Sequence, residues 1–461
     1  MKTRCLLTHF AVVVSLVFGC VVLAQSPAPA PVAPPPDLAA KVDEYVAAQM
    51  KVNQFSGAVL IARDGKVLLS KGYGLAHREF DIPNTPQTKF RLGSITKQFT
   101  ATAALLLEER GKLSTEDPLC KFLEPCPEAW KPVTVHHLLT HTSGIPSYTG
   151  MPDYRVQMTH RVSPDQMIAR FRDKPLDFPV GDRYRYNNSG YFLLGVIIEK
   201  ASGMSYEAFL AENIFAPLGM KDSGYDHFET ILPRRAAGYS LEKGAPVNSA
   251  YLDMGQPYAA GSLYSTAEDL LTWDQALAGG KLLSAKSYEK MYTPFKNNYA
   301  YGWAVAPRFN RKTIGHGGGI NGFSTMINRY PDDNVCFIVL SNLESANAGR
   351  ISRDLEALYF GEKYELPRER VVARVDPRLY DAYLGKYELS PTFTITVTRD
   401  GNRLLTQATN QPQFEVFPES ETKFFLRVVD AQITFVKDEK GVVTHLILHQ
   451  GGRDQFAKKV E

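Results

Sequence analysis

Apolar positions follow three different rhythms along this chain. Near the start, Gly57-Ala58-Val59-Leu60-Ile61-Ala62 and Lys66-Val67-Leu68-Leu69-Ser70 flank Arg63-Asp64-Gly65. An Asp-Gly step between two such runs predicts a tight hairpin. The middle changes to helical spacing, with apolar residues three and four apart in Ala101 to Arg110, Pro164 to Phe171, Phe192 to Ala201 and Ala267 to Ala278. Leu38 to Val52 reads as a further helix ahead of the hairpin. Strand patterning returns in Thr325 to Tyr330 and Val335 to Ser341, on either side of the turn Pro331-Asp332-Asp333-Asn334. Strands at both ends with helices between them predict an α/β (α+β) body, residues 37–366, whose antiparallel sheet joins distant parts of the chain.

Periodicity lapses over the charged, proline-containing stretch 367–376, which is read as a linker. Beyond it, short runs return at Phe393 to Thr398, Arg403 to Thr409, Phe414 to Phe417, Lys423 to Val428, Gln432 to Lys437 and Val442 to His449. Turn residues such as Asp400-Gly401-Asn402 separate them, so residues 377–461 are expected to form a small antiparallel β-barrel or sandwich. The chain shows no repeat array.

Composition narrows the picture. At 461 residues the chain exceeds one ordinary core, and 44% hydrophobic with 22% charged residues is the balance of a globular protein. Residues 1–24 combine Met1-Lys2-Thr3-Arg4, an apolar run and Val22-Leu23-Ala24, which reads as a signal peptide, with an uncleaved anchor as the alternative. Residues 25–36 form a Pro/Ala tether. The formal net charge of +3 falls to +1 once Lys2 and Arg4 leave with the signal. That balance gives no electrostatic reason to expect nucleic acid. The expected setting is periplasmic or extracellular, with no membrane span after signal removal. Cys120 and Cys126 flank a loop-like Lys-Phe-Leu-Glu-Pro and are candidates for a local disulfide. Cys336, inside an apolar run, reads as a buried thiol.

Three short elements carry candidate chemistry. Ser94-Ile95-Thr96-Lys97 places a hydroxyl and an amine on one helix face, beside Gly93 and ahead of the apolar Thr100-Ala101-Thr102-Ala103-Ala104-Leu105-Leu106-Leu107. The same Ser-x-x-Lys spacing recurs at Ser240, Ser287 and Ser420, in surface settings. Tyr186-Asn187-Asn188 is unique among the 23 tyrosines in having asparagine two residues on. A phenol near a lysine can move the serine proton, and Asn188 can bond a substrate carbonyl. Read structurally, Asn188 or Ser189 merely caps a helix starting near Tyr191. The third element, His316-Gly317-Gly318-Gly319, precedes a hairpin, where glycines let substrate approach the backbone. His449-Gln450-Gly451-Gly452 repeats that pattern outside the body. His137 and His141 stand four apart but lack the glutamate of a zinc hydrolase, so they read as packing and capping residues. No metal and no cofactor are expected.

In this order, Ser-x-x-Lys, Tyr-x-Asn and His-x-Gly resemble the motifs of the serine β-lactamase and penicillin-binding-protein superfamily, in its class C-like form. Val135 to Gly144, Gly190 to Gly195 and Gly261 to Leu270 extend the likeness over most of the body, and the C-terminal part resembles the lipocalin-like domains appended to some members. The resemblance implies a β-lactamase/transpeptidase-like domain. By position it makes Ser94 the nucleophile, Lys97 its proton partner and Tyr186 the general base. Asn188, His316 and Gly318 contact substrate, and Gly319 completes an oxyanion hole with Ser94. The third motif of the family often starts with lysine. A largely neutral His316 weakens the case for anchoring a substrate carboxylate and favours ester, amide or D-amino-acid peptide substrates. The function expected is therefore a secreted serine hydrolase of a small-molecule or peptide substrate, with a slowly acylating sensor or binding protein as the alternative. Homo-oligomerisation and shaping of access to the site are candidate roles for the barrel. Within the loop Ile145 to Met158, Tyr148 reads as surface packing rather than pocket lining.

Overall fold

The computed structural model describes residues 32–242, 244–368, 370–427, 431–450 and 453–461. The signal peptide and most of the tether, with Cys5 and Cys20, lie outside the described residues.

The early hairpin forms as read. Strand β1 (Gly57–Arg63) pairs antiparallel with β2 (Lys66–Tyr73). Four later strands complete one sheet: β3 (Ala304–Arg308), β4 (Arg311–Ile320), β5 (Phe323–Tyr330) and β6 (Val335–Ser341). Their order is β3-β4-β5-β6-β1-β2, with Gly57 opposite Ser341 and Arg63 opposite Val335. The sheet thus closes the ends of the body upon each other.

Alternation along β1 decides which helices cover which face. Val59 and Ile61 pack with Phe337 and Val339 beneath α1 (Leu38–Lys51) and α5 (Ala348–Phe360). Ala58, Leu60 and Ala62 face the larger core, shared with α2 (Thr96–Glu109), α3 (Asn188–Ser202) and α4 (Ala267–Ala278). Both faces of β1 are buried, which is why its sequence is continuously apolar rather than alternating. Cys336 is a buried free thiol, and Cys120 is bonded to Cys126.

Helix α2 starts five residues before its apolar run. Thr96, Lys97 and Gln98 are polar yet completely buried, so hydropathy alone placed the start too late. Tyr148 is buried in the main core, neither surface packing nor pocket lining.

At the C-terminus eight strands close into an antiparallel barrel. Two of them, Gly385–Ser390 and Arg453–Lys459, went unread because each buries little: Tyr387 is the buried residue of the first and Ala457 that of the second. They pair with each other at Tyr387 and Lys459, and this seam is what makes a barrel rather than a sandwich. Its interior is filled, with Tyr383 stacked on Phe435 at 4.3 Å. Among the described residues no helix is long and apolar enough to cross a membrane.

Helix α5 is fastened to the sheet by Glu356, whose side chain is fully buried. It accepts hydrogen bonds from Tyr330 and Asn328 on β5, both at 2.7 Å, from Ser352 on its own helix, and from Arg308 on β3. Replacing Glu356 by alanine leaves Arg308 and three polar groups without their shared acceptor. The expected loss, read by urea unfolding, is on the order of 3 kcal/mol.

Candidate active site

Glycine is what lets strand β4 close over the serine. Gly93 sits at φ +54°, and a Cβ there would lie 3.0 Å from the backbone nitrogen and oxygen of Gly319. A Cβ on Gly318 would stand 1.9 Å from the Leu92 carbonyl oxygen, whereas one on Gly319 would meet nothing within 4 Å. Thr325 of β5 ties the same Leu92 carbonyl at 2.7 Å. The turn Gly93–Ile95, which carries Ser94 into α2, is therefore clamped against the glycine run. Pairing between β3 and β4 stops at Gly315, so from His316 to Ile320 the strand pairs with β5 on one side alone. Its other edge addresses the segment holding Ser94.

Lys97, one helical turn beyond Ser94, is buried completely. Its Nζ lies 3.0 Å from Ser94 Oγ, 2.9 Å from Asn188 Oδ1 and 2.8 Å from the Ala260 carbonyl oxygen. None of these partners carries a charge. Burial therefore holds the Lys97 pKa well below that of a free lysine. The amine also sits 4.9 Å from the centre of the Tyr186 ring.

Asn187 caps α3 by accepting from the Gly190 amide at 2.9 Å, and the helix begins at Asn188. The capping role read for Asn188 or Ser189 thus falls one residue earlier. Asn188 is left free to bond Lys97 through Oδ1 and to donate from Nδ2 to Thr149 Oγ1 at 3.1 Å. Tyr186 keeps 37% of its surface open to solvent while its hydroxyl reaches inward to Ser94. Burial of that hydroxyl raises the phenol pKa above the usual value, and the hydrogen bond with Ser94 offsets part of the rise.

His316 lies 2.6 Å by Nδ1 from the Gly317 carbonyl oxygen and 2.9 Å by Nε2 from the Tyr299 hydroxyl. A carbonyl can only accept, so Nδ1 carries the proton and Nε2 accepts from Tyr299. Burial, with Lys97 nearby, lowers the His316 pKa to about 4, which keeps the ring neutral at ordinary pH.

The six elements singled out in sequence, Ser94, Lys97, Tyr186, Asn188, His316 and the Gly318-Gly319 pair, thus come together in space. The decoys do not join them: Lys290, partner of Ser287, pairs with Glu108, and His449 pairs with Asp454 on the barrel. His137 closes a capping box with Thr134. Sequence reading missed Tyr299, Thr149 and the Ala260 carbonyl, which no motif marks, and misread His141. That histidine lies outside its helix, against Tyr186 at 4.3 Å and Tyr299 at 4.6 Å. Among the described residues no cluster of His, Cys, Asp and Glu could hold a metal ion.

A hydroxyl bonded to a buried amine, at the start of a helix beneath an antiparallel sheet, is the arrangement of an acyl-transferring serine hydrolase. The comparisons agree. Residues 42–361 match the Beta-lactamase family model, and residues 369–459 match a domain of unknown function, DUF3471. Penicillin-binding protein 4* of Bacillus subtilis (strain 168) is 32% identical over 437 residues, covering 88% of this chain and 95% of the relative. A teichoic acid D-alanine hydrolase of Staphylococcus aureus (strain MRSA252) is 28% identical over 331 residues, 68% of this chain and 75% of its own. The octameric penicillin-binding protein homologue from Pyrococcus abyssi superposes with a TM-score of 0.65 at 30% identity, over 91% of this chain and 100% of that one. The chain belongs to the β-lactamase family, and it is a serine hydrolase.

The glycine clamp gives a direct test. Gly318→Ala forces β4 away from Leu92, and a shift of about 1 Å is expected to lower the acylation rate by roughly 10²-fold. Gly319→Ala, with open space for its methyl, is expected to stay within about threefold of wild type in the same stopped-flow assay.

Proposed function

We propose that the chain is an exported hydrolase that cleaves uncharged ester or amide bonds, of D-amino-acyl type, through an acyl-enzyme on Ser94. The observation that carries this reading is the Ser94 hydroxyl bonded to the Lys97 amine, which itself lies 4.9 Å from the centre of the Tyr186 ring.

Neutral Lys97 has two N–H groups and one lone pair. Asn188 Oδ1 and the Ala260 carbonyl take the protons, which leaves the lone pair for the Ser94 hydroxyl. As Ser94 Oγ bonds to the substrate carbonyl carbon, its proton passes to Lys97. The carbonyl oxygen becomes an oxyanion between the Ser94 and Gly319 amides. When the C–O or C–N bond breaks, Tyr186 gives its proton to the leaving group and recovers one from Lys97. Water then releases the acid by the reverse sequence. These roles amend the sequence expectation, in which Tyr186 was the base. A lysine charge would favour the phenolate, but burial opposes both the charged amine and the phenolate, so the neutral amine is the better acceptor.

Two features support the substrate class. His316 is a neutral donor-acceptor in the position where the family often carries lysine, so the strand edge lacks a fixed charge for a carboxylate. A relative over two thirds of the chain is named for teichoic acid D-alanine hydrolysis. Export is supported by the Cys120–Cys126 disulfide, a bond of oxidising compartments. An octameric relative aligned over both parts of the chain supports a homo-oligomer.

The test is a panel of activated esters, D-alanyl esters and amides, a D-peptide and a β-lactam, run with wild type and Ser94→Ala in parallel. Ser94→Ala is expected to lose at least about 10³-fold in turnover and all labelling by a fluorophosphonate, and full retention of either sinks the reading. Because a neutral amine is needed and its pKa is lowered, acylation should rise with pH through that lowered value. The rate should plateau well below pH 10.5, the unshifted lysine value; a rising limb centred there would contradict the role given to Lys97.

A further inference from the structure

We infer that His141 is a positioning residue that holds the Tyr186 phenol in place through the backbone amides of the two residues that flank it, Arg185 and Asn187. The inference rests on the proton-transfer role proposed for Tyr186.

Residues 182–187 run as irregular backbone between a turn and helix α3, so no ladder of helix or sheet bonds fixes Tyr186. His141 supplies the missing constraints. Its carbonyl oxygen accepts from the Arg185 amide at 3.0 Å, and its Nδ1 accepts from the Asn187 amide at 3.1 Å. The residue on each side of Tyr186 is thereby tied by its amide to His141, and the imidazole lies 4.3 Å from the Tyr186 ring. His141 reaches both amides because it takes the left-handed conformation, φ +59°, just after the helix Val135–Leu139 ends.

The bond to Asn187 also fixes the tautomer. A backbone amide can only donate, so Nδ1 is bare and the proton resides on Nε2. That Nε2 is buried with no hydrogen-bond partner, among the rings of Tyr184, Tyr186, Tyr191 and Tyr299. The groups that face the ring are those four phenols, the Lys97 amine and His316. None of them is a carboxylate, so nothing nearby rewards protonation. Burial, with Lys97 and His316, keeps the pKa well below that of free histidine. A neutral ring is what the clamp requires, because a protonated Nδ1 cannot accept. A residue serving for packing alone would have no need of the Nδ1 acceptor.

Asparagine and glycine both tolerate the left-handed backbone, but only asparagine keeps an acceptor near the Nδ1 position. His141→Gly is expected to lower kcat on the order of 10²-fold with KM within about threefold, as displacement of a proton-transfer group should. His141→Asn should recover kcat to within about tenfold of wild type. Equal losses in both variants, or a change confined to KM, would overturn the inference. Should His141→Gly prove unfolded by its thermal melt, ¹⁵N histidine spectra of the wild type decide instead, the resonance being assigned by its loss in His141→Asn. A neutral Nε2–H tautomer between pH 5 and 8 is expected, and an Nδ1–H tautomer or a charged ring would refute the clamp. Tyr186→Phe, assayed alongside, separates the two claims. If it keeps full activity, the role of Tyr186 has failed; if it is inactive while His141→Gly is unimpaired, only the clamp has.

Discussion

The structure turns on one amine taken out of water without a counter-charge. Lys97 has no carboxylate among its hydrogen-bond partners, and a buried ammonium left with neutral dipoles costs several kcal/mol. Burial without a counter-charge holds the pKa of this amine well below that of a surface lysine. Each partner is supplied by a different stretch: Ser94 by the turn before α2, Asn188 by the start of α3, and the Ala260 carbonyl by the short turn Tyr258–Ala260. The geometry of the base is therefore no more secure than the packing of these three elements around α2.

Sheet order explains how stretches so far apart in sequence meet. By pairing the first hairpin with the last strand, the β1–β6 junction brings β4 back across the beginning of α2. The glycines of β4 then set the depth of approach. Leu92 lies against Gly318 and Gly93 against Gly319 through backbone atoms, the Thr325 hydroxyl bonds the Leu92 carbonyl, and any side chain at Gly318 would open this approach. A strand edge left unpaired beyond Gly315 is ordinarily a liability. Here the glycine run beyond that point lies against the turn that carries Ser94.

Motifs with rigid local geometry were legible in the sequence, and contacts made by the backbone or by lone residues were not. Ser94 and Lys97 sit a helical turn apart, so their juxtaposition follows from spacing alone. The hairpin at Asp64-Gly65 and helix Ala267–Ala278 were equally plain because their patterns are long and regular. Hydropathy alone would start α2 at its apolar run, and the Ser-x-x-Lys spacing is what set the start earlier, among residues that are polar for the sake of the site. Two barrel strands were missed because a strand that buries one side chain has almost no hydropathy signature. His141 was misread for a different reason. Four-residue spacing from His137 suggested a common helix face, but the helix ends at Leu139 and the left-handed turn at His141 carries its ring against Tyr186 and Tyr299. Tyr299 belongs to no motif, and its bond to His316 is a tertiary fact.

The barrel poses a separate problem of purpose, and its packing limits the answers. Eight strands enclose a space that side chains can fill or that can hold one small ligand. Here Tyr383, Phe424 and Phe435 fill it, with ring centres 4.3 to 5.7 Å apart, and the Pro377–Tyr383 turn presses Tyr380 and Tyr383 in from one end. Emptying such a core to admit a ligand would forfeit the burial of several aromatic side chains, each contributing roughly 3 kcal/mol or more. A lipocalin-like outline therefore does not bring a lipocalin-like cavity with it. Whatever this domain contributes to the hydrolase must act through its outer surface and loops, and that constraint follows from interior volume rather than from fold resemblance.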